Sequence, residues 1–146
     1  MENIDLVEIL LIEDNPGDVR LTREALKDGK MKINLNVAYD GEEASDFLFK
    51  RNQFTDAPRP DVIILDLNLP KKNGRELLKE IKKDDQLKGI PVIILTMSKA
   101  EEDIINSYNL HANCYLTKPI DLNKFFEVVK SIETFWLTLV KLPKYE

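Results

Sequence analysis

Five short apolar runs, each followed by a longer stretch of helical period, constrain the fold of this chain more than any other feature. They are Glu8-Ile-Leu-Leu-Ile12, Asn34-Leu-Asn-Val-Ala38, Asp61-Val-Ile-Ile-Leu65, Pro91-Val-Ile-Ile-Leu95 and Ala112-Asn-Cys-Tyr-Leu116. This alternation, rich in β-branched residues, marks βα units around a parallel sheet. Four of the runs are nearly continuous in apolar character, as strands covered by helices on both faces must be. The second alternates, with Leu35 and Val37 facing inward, and belongs at an edge. Right-handed crossovers between the units give an α/β, doubly wound five-stranded parallel sheet with helices on both faces.

Helix starts are marked by cap chemistry. Asn15-Pro16 pairs an N-cap with a proline at the first helical position. Asp40-Gly-Glu-Glu43, Asn73-Gly-Arg-Glu76 and Ser98-Lys-Ala-Glu101 each set a cap residue three before a glutamate. At that spacing the two side chains satisfy each other's orphan backbone N–H groups. Asp121 caps a last helix whose apolar stripe is Leu122, Phe125, Phe126, Val129 and Ile132. The segment from Arg51 to Pro60 reads as a polar surface loop. Lys71, Lys72, Lys79, Lys82 and Lys83 read as a solvated face.

Composition narrows the class. The 146 residues suit one domain, and 43% hydrophobic with 32% charged residues is a globular balance. No apolar run approaches the ~20 residues of a membrane span. Met1-Glu2-Asn3-Ile4-Asp5 carries no basic, then apolar, leader, and the expected location is the cytoplasm. The single cysteine, Cys114, excludes an intrachain disulfide and a cysteine zinc site. A net charge of −5 argues against nucleic acid as a partner.

In a doubly wound sheet, ligands bind beyond the carboxyl ends of the strands. Glu13-Asp14 follow the first strand. Asp66 ends the third, ahead of Leu67-Asn68-Leu69-Pro70; Thr96 ends the fourth, and Lys118-Pro119 follow the fifth. These polar groups should converge on one cleft. Three carboxylates within ~5 Å repel by about 3 kcal/mol per pair at an effective dielectric near 20. The sum rivals the stability of a whole domain, so positive charge must answer it. Lys118 supplies one charge, and a divalent cation with hard oxygen ligands, Mg²⁺, supplies two. An aspartate held there is placed to attack a phosphoryl donor.

Glu13-Asp14, Asp66, Thr96 and Lys118-Pro119, in this order and at these strand ends, resemble the receiver domain of two-component response regulators. The resemblance spans about residues 7–132, with a carboxyl-terminal helical extension over about 133–146. It implies the flavodoxin-like strand order 2-1-3-4-5. Asp66 would be the phosphoacceptor, forming an aspartyl phosphate with a phosphoryl group from a sensor histidine kinase. Asp14 would bind Mg²⁺ directly, Glu13 through water and Asn68 through its backbone carbonyl. Lys118 would pair with the phosphoryl oxygens, Thr96 would donate a hydrogen bond to them, and Tyr115 matches the aromatic switch position. Lys118-Pro119 would be a cis peptide. The extended loop, the Asp-Leu-Asn-Leu-Pro segment and the long carboxyl end look most like stand-alone receivers paired with bacterial phytochrome-type kinases. Met97, where the family carries a small residue, implies a slowly hydrolysed phosphoryl group; an unchanged rate in Met97→Ala would refute that.

The resemblance implies signalling by protein contact through the fourth helix, fifth strand and fifth helix, which include Tyr108 and Tyr115. The apolar spacing continues past Ile132 through Phe135, Trp136, Leu139 and Val140. Two readings stay open for it: a homodimer interface, or a tail folded back on its own sheet edge. No enzymatic or DNA-binding output is expected. An aspartyl-phosphate phosphohydrolase would need an acid at the second position of Asp-x-Asp, where Asn68 stands. A degenerate receiver used only as a binding module would have lost Asp66, Lys118 or an acid, and none is lost. His111, Cys114 and Asn73 carry structural readings, the last as a cap.

Overall fold

Strand β1 (Leu6–Ile12) lies inside a parallel sheet, bonded to β2 (Lys32–Ala38) on one side and β3 (Val62–Asp66) on the other. β4 (Val92–Thr96) and β5 (Cys114–Thr117) complete the order β2-β1-β3-β4-β5. This computed structural model describes residues 6–27, 32–67, 69, 71–96, 114–117 and 127. The helices within that range are α1 (Pro16–Lys27), α2 (Gly41–Leu48) and α3 (Gly74–Lys83). The expected five-stranded doubly wound sheet is present, with the alternating strand at its edge. Ser98, Tyr108, His111, Asp121 and the 133–146 extension lie outside the described residues.

The two faces of the sheet divide the core between them by the period of two that a strand imposes. Leu10, Ile12, Ile63, Leu65, Val92 and Ile94 face a layer with Ala44, Phe47, Leu77, Leu78 and Ile81 from α2 and α3. Their neighbours Ile9, Leu11, Val62, Ile64, Ile93 and Leu95 face the opposite layer, with Val19 and Leu26 from α1. Leu10, Leu11, Ile12, Ile63, Ile64 and Leu65 have no solvent exposure at all. Burying each contributes roughly 1.5–3 kcal/mol. β2 is half-covered: only its Ile33, Leu35 and Val37 pack against the α1 layer.

The caps form as the sequence spacing requires. The Asn15 Oδ1 accepts from the Asp18 N–H at 3.0 Å, and the Asn73 Oδ1 from the Glu76 N–H at 2.9 Å. Asp40 accepts from the Glu43 N–H at 2.7 Å, but Glu43 reaches the Tyr39 N–H, also at 2.7 Å, one residue further back than expected.

The 51–60 connection is the expected surface loop, exposed at most of its positions, and it holds one 3-10 turn, Asn52–Phe54, that seats Phe54 against Phe47 with ring centroids 5.5 Å apart. The gain is apolar burial, which a run of polar neighbours had hidden. One sequence expectation is corrected: the lysines after β3 are not one solvated face. The Lys72 side chain is only 24% exposed, its Nζ 2.6 Å from Glu80 Oε2. Burial pushes the Lys82 ammonium below its ordinary pKa.

Thr22 is fully buried on α1, and its Oγ1 has no hydrogen-bond partner among the described residues. An unpaired buried hydroxyl costs about 1–3 kcal/mol. Thr22→Val keeps the shape and is expected to stabilise the fold by about 1 kcal/mol, read as a higher denaturant midpoint with unchanged slope.

Candidate functional site

Parallel pairing sets the site. Ile12 of β1 lies beside Leu65 of β3, so the next residues, Glu13 and Asp66, emerge at the same level on the carboxyl rim of the sheet. The Glu13 N–H continues the ladder by donating to the Ala38 carbonyl at 3.0 Å. Its Oε2 accepts from the Asn15 N–H at 3.2 Å, which ties the acid to the turn that starts α1.

Carboxylate oxygens of Glu13, Asp14 and Asp66 all lie within 4.8 Å of one another. Glu13 is fully buried, Asp66 is 4% exposed and Asp14 faces solvent. Two buried acids side by side are costly unless a cation or hydrogen bonds answer them. The donor set fits a small divalent cation: all oxygen, all acidic, and open to water on the Asp14 side.

The other expected residues divide into two groups. Thr96 pairs with Thr117, one position beyond the level at which Asp66 pairs with Leu95, so Thr96 ends its strand on the same rim. Tyr115 lies on β5 opposite Ile94. For both, the backbone alone is described. Asn68, Met97, Lys118 and Pro119 lie outside the described residues.

Two glycines pack against the chain that follows Asp66, and neither was read as such from the sequence. A Cβ on Gly74 would stand 2.6 Å from Leu67 Cα and 2.9 Å from the Asp66 carbonyl oxygen. The first turn of α3 therefore packs directly on the backbone that carries Asp66, and the Gly74 N–H donates to the Leu67 carbonyl at 3.1 Å. A Cβ on Gly41 would run into the Lys72 carbonyl oxygen. The only available signal was a glycine at the first helical position after an Asn or Asp cap.

An acidic cluster of this kind on the carboxyl rim of a 2-1-3-4-5 parallel sheet defines a receiver domain. The chain belongs to the response regulator receiver domain family, whose profile matches residues 9–130. It is 50% identical over 135 residues to response regulator Rcp1 of Synechocystis sp., covering 92% of each chain. The Mn²⁺-bound form of Rcp1 is similar in structure, with a TM-score of 0.76 and 49% identity over 91% of this chain and 96% of that one. So is the phosphorylated cyanobacterial phytochrome response regulator RcpA, at a TM-score of 0.76 and 50% identity over 90% of this chain and 94% of that one. This chain is thus a signalling domain of the two-component type, with a site suited to a divalent metal. No helix among the described residues is long and apolar enough to cross a membrane.

Proposed function

We propose that Asp66 accepts a phosphoryl group from a sensor histidine kinase of the phytochrome type, with Mg²⁺ as the cation. The observation that carries this reading is the gathering of Glu13, Asp14 and Asp66 within 4.8 Å at the strand ends. The likeness to a phosphorylated phytochrome response regulator and to a metal-bound one supports it. Asp14 and Asp66 would hold the cation directly, Glu13 through water and Asn68 through its carbonyl. Bound there, the cation supplies positive charge against the phosphoryl oxygens.

The rest falls to the chain itself. An Asp66 carboxylate oxygen attacks phosphorus, the bond from phosphorus to the donor breaks, and the donor leaves with that electron pair. Lys118 pairs with the phosphoryl oxygens and Thr96 donates a hydrogen bond to them. The burial of Asp66 keeps bulk water from its face of the cluster.

Those two contacts contribute about 2–3 and ~1 kcal/mol. Moving an equilibrium from 1:99 to 99:1 takes about 5.5 kcal/mol, so they do not complete a switch. A protein partner that prefers the active form supplies the remainder. Its docking face is the one that carries Tyr115, which joins Thr96 as a switch residue. The phosphorylated chain signals from the cytoplasm by protein contact, as one domain with its extension, and catalyses no output reaction. A homodimer forms through the face of helix four, strand five and helix five or through the Phe135–Val140 stretch; equal sedimenting masses for the full chain and one ending at Ser131 would refute the second.

Incubating the full chain with acetyl phosphate and Mg²⁺ is expected to add one phosphoryl group by intact mass, and excess EDTA is expected to prevent it. No mass gain, or one indifferent to EDTA, would contradict the proposal.

A further inference from the structure

The segment between Asp66 and α3 is anchored at both ends, and the second anchor has no place in the site described so far. At residue 71 the backbone takes a left-handed conformation, φ 66°, at a lysine. That conformation is unfavourable for any residue with a Cβ and persists only where its surroundings enforce it. Three contacts enforce it. The Lys71 ammonium lies 3.5 Å from Asp40 Oδ2 at the start of α2. The Lys72 carbonyl is seated so closely on Gly41 that no side chain fits between them. The half-buried Lys72 ammonium donates to Glu80 Oε2 on α3 at 2.6 Å, beside the buried Ser45 hydroxyl of α2 at 3.5 Å. Lys72 thus joins α2 and α3 to the segment that follows Asp66.

We propose that Lys72 is a positioning residue for the metal and phosphoryl site, acting through Glu80. This rests on the reading of Asp66 given above. The ion pair fixes the far end of the 67–73 segment, while Gly74 fixes the near end against the backbone of Asp66 and Leu67. With the far anchor lost, the first turn of α3 is held less firmly, and with it the Gly74 contact that sets the backbone of Asp66 and Leu67 before the cation arrives. Outer-shell partners that orient ligands commonly govern metal affinity by tenfold or more. A lysine fits the role because its long side chain carries the ammonium to a carboxylate eight residues on.

The test is Mg²⁺ titration calorimetry on the full chain, paired with acetyl phosphate uptake at several Mg²⁺ concentrations. Lys72→Met and Glu80→Gln are expected to weaken Mg²⁺ binding by roughly tenfold, with phosphoryl uptake recovering at saturating Mg²⁺. Val7→Ala, a core truncation at the other end of β1, is expected to lower stability and leave Mg²⁺ affinity unchanged. Wild-type affinity in both variants, or equal weakening in Val7→Ala, would overturn the proposal. A wild-type chain that neither binds Mg²⁺ nor takes up phosphoryl would instead overturn the reading of Asp66 itself.

Discussion

Asp66→Asn is expected to abolish phosphoryl uptake and, in EDTA, to make the chain more stable than wild type. The first effect follows from chemistry: an amide oxygen is a poor nucleophile and its phosphoryl adduct has no stable form. The second follows from the cluster. Each carboxylate pair within 4.8 Å repels by about 3 kcal/mol at an effective dielectric near 20. Asp14 faces solvent, so its share is screened, and the buried Glu13–Asp66 pair carries most of the effect. Removing one of those two charges should leave a net gain of about 1–3 kcal/mol without metal, or several degrees in Tm for a chain of this size. Saturating Mg²⁺ offsets that gain. A cation at a hundred times its Kd stabilises the wild type by about 2.7 kcal/mol, and the variant has lost a ligand for it. Thermal melts of both chains in EDTA and in Mg²⁺ check this. Lower stability of Asp66→Asn in EDTA would mean that the acids are not repelling one another.

The second large effect is at Gly41. Helix propensity argues for alanine over glycine by up to about 1 kcal/mol. Packing argues the other way: an added Cβ would run into the Lys72 carbonyl oxygen and lie 2.7 Å from its carbon. Those are backbone atoms, and the ion pairs of Lys71 and Lys72 keep them from yielding cheaply. Overpacking of this kind costs typically 1–3 kcal/mol and more where the backbone must move. Gly41→Ala is therefore expected to destabilise by about 3 kcal/mol, measured by urea unfolding. It is also expected to weaken Mg²⁺ binding, because the displaced segment is the one that follows Asp66. A neutral or stabilising Gly41→Ala would show that propensity outweighs the contact.

The features legible in the sequence were those that short-range patterns encode. Strands buried on both faces appear as unbroken Ile-Leu-Leu-Ile or Val-Ile-Ile-Leu runs, and their ends place Glu13, Asp14 and Asp66 by counting alone. Caps are equally local, three residues apart, although Glu43 chose the Tyr39 N–H over that of Asp40. The illegible features join residues that no pattern relates. Lys72 precedes its helix, so its partner Glu80, eight residues on, falls outside the three- and four-residue spacing of helical pairs. Gly41 owes its role to a carbonyl at residue 72, on another element. Phe54 finds Phe47 only because a 3-10 turn folds a loop back on itself. In each case a long-range contact, set by tertiary packing, overrode a reading that was sound residue by residue.

The central claim is that all three carboxylates serve the cation and one alone, Asp66, also takes the phosphoryl group. Borohydride converts an acyl phosphate to the alcohol, so treating the phosphorylated chain and sequencing its peptides by mass spectrometry identifies the residue that carried it. Conversion at Asp66 alone is the expected result. Conversion at Asp14 or Glu13, or none at Asp66 in a chain that has gained a phosphoryl group, would contradict the account.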